Sequence, residues 1–108
     1  MKAHHWLILV CIAALAACQG RAKDPVVRGE NYFNGLGCAQ CHAIGSKGGG
    51  WGPDLSLIGF RKSKPWLDLW LQNPHAWRKE TVMPSFNLKP EVRSDIVEFL
   101  AAQQGQAW

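Results

Sequence analysis

Methionine is nearly absent from this chain. There are two in 108 residues, and one of them is the initiator. Met83 therefore stands alone in the body of the sequence, where a thioether more often serves as adaptable core filler. Long apolar runs are also missing. The run from Trp6 to Ala17 has 12 residues, short of the ~20 that span a bilayer as a helix. A second Cys/His pair is lacking, which argues against a four-ligand structural zinc site. No strand–helix–strand pattern surrounds the central cysteines, which argues against a thioredoxin-type dithiol. Acidic residues are few: 8 against 12 Lys and Arg, a formal charge of +4. That mild excess suits a partner with an acidic face, or plain solubility, and no nucleic-acid partner is read from it. Convincing strands, internal repeats and a second domain are missing too, and the length leaves room for one small domain.

What the chain does have is Cys38-Ala39-Gln40-Cys41-His42. C-x-x-C-H is the attachment signature of c-type haem. The spacing follows from the chemistry. Two thiols two residues apart can each add to one vinyl group of the same porphyrin, and the next histidine is carried under the ring, where an imidazole nitrogen can bind iron. Covalent attachment lets a small protein keep the cofactor without enclosing it fully. A plain disulfide between Cys38 and Cys41 stays open as the bland alternative.

The start of the chain reads as an export leader. Lys2 supplies a positive charge, the apolar run follows, and it ends at Leu15-Ala16-Ala17-Cys18. That end resembles the lipobox of bacterial lipoproteins, which implies cleavage before Cys18 and a lipid on its thiol. The expected division is a signal peptide over 1–17, a lipid-anchored tether over 18–25 and a single domain over 26–108. An uncleaved span and an ordinary secretory signal are the alternatives. The four cysteines are then used without remainder: Cys11 is discarded, Cys18 goes to lipid, and Cys38 and Cys41 go to haem. Removing 1–17 removes only Lys2, so +4 becomes +3. The segment from Gln19 to Pro25 is polar and reaches at most ~25 Å at ~3.3–3.6 Å per residue, which would keep the domain near a membrane surface. Its small apolar core would gain much from a large cofactor.

Along the domain, Asp24 and Pro25 predict the N-cap and first position of a helix over 26–36. Gly29 and Phe33 share one face, and Gly35 and Gly37 end the helix before the cysteines. Residues 45–52 are glycine-rich and predict a flexible loop. Leu57 and Ile58 add apolar contacts near the ring. Pro65 predicts the start of a second helix, closed by Asn73 and Pro74, with Trp66/Trp70 and Leu67/Leu71 each four apart. Residues 75–84 predict irregular chain. Pro90 predicts the start of a last helix, in which Val92, Ile96, Phe99, Leu100 and Gln103 form one face and Gly105 is a stop.

With C-A-Q-C-H, Gly29 and Phe33 in a first helix, Gly52-Pro53-Asp54-Leu55, a late Met83-Pro84 and a final D-I-V-E-F-L, the chain resembles the small monohaem class I cytochromes c over about residues 26–104. The resemblance implies an all-α fold with first and last helices packed together around one covalent haem c. It implies thioether cysteines at Cys38 and Cys41, the proximal iron ligand at His42, and a backbone carbonyl at Pro53 that accepts a bond from that imidazole. Leu55 would pack on the haem, and Met83 would be the second axial ligand, with His75 as its rival. Gly29 and Phe33 would meet Ile96, Phe99 and Leu100. One residue more than the mitochondrial pattern lies between Phe33 and Cys38. Arg61 and an indole of Trp51, Trp66 or Trp70 are candidates for the haem propionates, though each has a plain account as solvated cation or core indole.

Three function classes follow. With both axial positions filled, iron has no open site for substrate, and one-electron exchange remains; that implies an exported, lipid-anchored carrier on the periplasmic side, with protein redox partners. Gln19 after Cys18, rather than Asp, favours the outer membrane by resemblance to Gram-negative sorting. The second class is a haem subunit of a larger oxidoreductase complex, for example in sulfur-compound oxidation or a terminal oxidase. The third, a haem enzyme or gas sensor, needs Met83 to be displaced.

Overall fold

Helix α1 (Pro25–Gly35) opens as its sequence predicts. The Asp24 carboxylate accepts a 2.9 Å bond from the Val26 N–H and Pro25 takes the first turn, a cap of about 1 kcal/mol. The computed structural model describes residues 22–105. After α1, these residues form α2 (Cys38–Cys41), the two-residue strands β1 (Ala43–Ile44) and β2 (Lys47–Gly48), then α3 (Ile58–Arg61), α4 (Lys64–Gln72), α5 (Pro74–Trp77) and α6 (Pro90–Ala101). The expected leader, Cys18 and the first residues of the tether lie outside the described residues. Among the described residues no helix is long and apolar enough to cross a membrane.

The fold is mostly helical, and its centre is the crossing of α1 on α6. Gly29 and Phe33 are buried on α1, and Ile96, Val97, Phe99 and Leu100 on α6, with Leu67 and Leu71 from α4 completing the core. Burying each such side chain contributes about 1.5–3 kcal/mol. The Phe33 and Phe99 rings meet at 5.3 Å, tilted by 54°, a favoured aromatic geometry. Gly29 is where the two backbones approach. A Cβ there would strike the Asp95 carbonyl and lie 2.7 Å from Phe99 Cβ, so the position excludes any side chain.

A buried charge ties the same crossing. Asp95 is 5% exposed, and Arg28 grips both its oxygens, Nε at 2.8 Å and Nη2 at 3.0 Å. A buried carboxylate demands such a partner, and the hydrogen bond to Asp95 in turn raises the Arg28 pKa. Arg28 Nη1 also donates to the carbonyls of Ala22 and Lys23, which pins residues 22–23 against α1.

Four local expectations are corrected. A short antiparallel pair is present, with Ala43 opposite Gly48 and Ile44 opposite Lys47. The glycine-rich stretch is thereby a pinned hairpin rather than a free loop, held by Gly49 N–H to the Ala39 carbonyl and Gly45 N–H to Ser56 Oγ. Residues 74–77 form one helical turn in place of irregular chain. Helix α4 starts one residue before Pro65, because Ser63 Oγ accepts from the Trp66 N–H. Helix α6 ends at Ala101, and Gly105 (φ 68°) lies beyond it, bonded to the Ser56 carbonyl.

Candidate functional site

Gly37 turns the chain from α1 into α2. Its φ of 90° is left-handed, a conformation glycine adopts without a Cβ penalty. Helix α2 is a single turn, so Cys38 and Cys41, three apart, lie on neighbouring positions of one face. Cys38 and Cys41 form no disulfide. Cys38 is half-buried and burial pushes its thiol pKa up, while Cys41 is exposed. His42 closes the turn, its N–H bonded to the Cys38 carbonyl, and its extended backbone (φ −108°, ψ 135°) leads the chain away from the helix.

The imidazole is fixed by one contact. His42 Nδ1 lies 2.8 Å from the Pro53 carbonyl oxygen. A carbonyl only accepts, so Nδ1 carries the proton, and in the neutral ring Nε2 then holds the lone pair. Gly52 makes the approach feasible. Its N–H bonds the Cys41 carbonyl, and a Cβ on it would sit 2.7 Å from His42 Cε1 and 2.9 Å from Nδ1. From sequence Gly52 is one more loop glycine, and this role is missed; the only local signal is its position just before Pro53.

Leu55 is half-buried against the core cluster, as are Cys38, Ala39, Ile44, Ile58, Trp70 and Met83. The Leu55 N–H bonds the Ala43 carbonyl, and Asp54 Oδ1 accepts from the Ser56 N–H, which braces the segment after Pro53. The Ser56 hydroxyl and that backbone bond lower the Asp54 pKa.

Met83 is held from two sides. Its N–H donates to Thr81 Oγ1 at 3.2 Å, and its Sδ accepts from Trp70 Nε1 at 3.2 Å. Trp70 stacks on Trp66 with centroids 5.5 Å apart and planes 8° apart, and Lys62 Nζ lies 4.3 Å from the Trp66 ring. The spacing of the tryptophans is legible as a helical stripe; the sulfur contact is not. His75 is exposed on α5, Arg61 is exposed at the end of α3, and Trp51 is 93% exposed rather than a core indole. Two cysteines on one turn, an imidazole held by a backbone carbonyl and a thioether are donor types that covalent haem and its iron take.

These features define a small, mostly helical single-haem protein. The cytochrome c family profile matches residues 26–104. The chain is 35% identical over 105 residues to cytochrome c2 of Rhodomicrobium vannielii, covering 79% of this chain and 83% of that protein. It is 30% identical over 88 residues to a nitric oxide reductase subunit of Stutzerimonas stutzeri, covering 76% of this chain and 60% of that relative, less than two thirds of its length. The chain belongs to the cytochrome c family, and with it carries one covalent haem c and serves electron transfer.

Proposed function

We propose that the chain is a membrane-anchored carrier that passes single electrons between redox proteins on the periplasmic side. In this reading Cys38 and Cys41 hold the haem by thioether bonds, and His42 and Met83 are the axial iron ligands. The bound haem supplies a one-electron Fe(III)/Fe(II) couple. The observation that carries the reading is the His42 Nδ1 bond to the Pro53 carbonyl at 2.8 Å. It orients the ring, fixes the tautomer and raises the basicity of Nε2, as partners of metal-bound imidazoles do. Met83 suits the sixth position because its sulfur has two lone pairs: one is free for iron while the other accepts from Trp70. With His42 and Met83 both bound, the iron would have no open place for substrate, which favours a carrier over an enzyme or sensor.

The test is a haem-stained denaturing gel of Cys38→Ala/Cys41→Ala. No stained band is expected, and a band of normal intensity overturns the attachment. The anchor is tested separately. Several acyl chains anchor stably where one binds marginally, so replacing the leader through Cys18 with a type I secretory signal should release a soluble cytochrome. Sedimentation with membranes in high salt would place the anchor elsewhere.

A second reading, a fixed haem subunit of an oxidoreductase complex, is favoured by the 30% identity to the nitric oxide reductase subunit. Stoichiometric co-purification with a partner from detergent-solubilised membranes would support it over the free carrier.

A further inference from the structure

The contacts around Met83 continue outward to solvent. Met83 Sδ accepts from Trp70 Nε1 at 3.2 Å, Trp70 stacks nearly parallel on Trp66 with centroids 5.5 Å apart, and Trp66 is 37% exposed under the Lys62 ammonium. Each link is a direct contact. We propose that the Trp66–Trp70 stack is an electron port, a conduit that couples a surface site at Lys62 and Trp66 to the iron through Met83. The proposal rests on Met83 being the axial ligand.

The rate of such a transfer follows the electronic coupling along its route. Tunnelling falls off most steeply across gaps and least through bonded and π-conjugated paths. Two stacked indoles and an N–H···S bond break the route into short non-bonded steps between π-systems, on a face set by α4 rather than by the cysteine turn. Leu67 and Leu71 on this helix are buried in the core, whereas Trp66 keeps 37% of its surface exposed beside Lys62. The step is a simple transfer. A reduced partner loses one electron, Fe(III) gains it and becomes Fe(II), and no bond or proton moves. The indoles stay closed-shell and act only as a bridge. Among the described residues Lys62 makes no ion pair, and its charge beside the exposed indole suits a one-electron redox protein presenting acidic groups.

The experiment uses the full haem-loaded chain. A thiol-reactive ruthenium(II) photoreductant is attached through Lys62→Cys, and flash-induced reduction of Fe(III) is timed with and without Trp66→Leu. Chain with Lys62 intact, treated alike, gives the background, and attachment through Lys47→Cys on β2 gives a second entry point. Trp66→Leu is expected to slow transfer from Lys62→Cys several-fold and to leave transfer from Lys47→Cys unchanged. Equal rates from Lys62→Cys with and without Trp66 overturn the port, and so does equal slowing from both attachment points, which would mean a change at the iron. The weak far-red sulfur-to-iron band is recorded in every sample. Its absence from the wild type would sink the Met83 reading and the port with it; its presence with unchanged rates sinks the port alone.

Discussion

Replacing Gly29 with alanine should loosen the crossing of α1 and α6 although alanine is the better helix former. The added Cβ would strike the Asp95 carbonyl and approach the Asp95 carbonyl carbon and Phe99 Cβ at 2.7 Å each. Two of these contacts are backbone, so no rotamer change relieves them and the helices must separate. Overpacking of this kind costs about 1–3 kcal/mol, and the contact with rigid backbone puts Gly29 toward the upper end. Helix propensity returns about 0.8–1.0 kcal/mol, leaving a net loss of roughly 1–2 kcal/mol. Separation would also lengthen the Arg28–Asp95 pair and the Phe33–Phe99 contact, which span the same crossing. In guanidinium chloride, with a slope of about 3 kcal/mol/M for so small a domain, the midpoint should fall by roughly 0.3–0.7 M. The assay is far-UV circular dichroism of the haem-loaded protein. An unchanged or higher midpoint for Gly29→Ala would refute the close-approach argument.

Gly52→Ala should push the His42 imidazole off the Pro53 carbonyl, since the new Cβ falls within 3 Å of the ring; with His42 as the proposed iron ligand, a less basic imidazole would stabilise Fe(III) less, so the reduction potential should rise in a redox titration, and an unchanged potential with an unshifted Nδ1–H resonance would count against it. Met83→Ala should abolish the far-red band, permit rapid CO binding to the reduced protein and lower the potential; a wild type that already binds CO fast and lacks the band contradicts the carrier reading. Asp68 is held below its ordinary 3.8 chiefly by the Arg93 hydrogen bond, against burial that raises it. A depressed folded pKa gives stability that is present above the unfolded value and lost as pH falls through the folded one, so stability should start to drop as pH falls toward 3.8 and go on dropping through the lower folded value. Arg93→Gln should flatten that drop in denaturant midpoints, and an identical slope would deny the Asp68 contribution.

Several features were legible in the sequence because their codes are local. C-x-x-C-H specifies two thiols and an imidazole through spacing alone. Asp24-Pro25 and Pro90 announce helix starts through the first turn. Gly29, Phe33, Ile96, Phe99 and Leu100 declare their faces through the helical period, and these are the residues that meet at the crossing of α1 and α6. Elements of one turn or two residues left no period to read, so α5 and the β1–β2 pair went unseen.

Other features existed only once the chain had folded. Arg28 and Asp95 are 67 positions apart, and neither carries a mark of the other. Trp70 and Met83 are 13 apart across a turn without periodicity, so a stripe of tryptophans read as core packing gave no sign that one indole N–H would aim at the sulfur. Gly52 is an ordinary loop glycine until the chain is seen passing over the His42 ring. The physical reason is the same in each case: periodicity and capping report which face a residue occupies, while a directed hydrogen bond or a forbidden Cβ depends on what another segment places within about 3 Å of it.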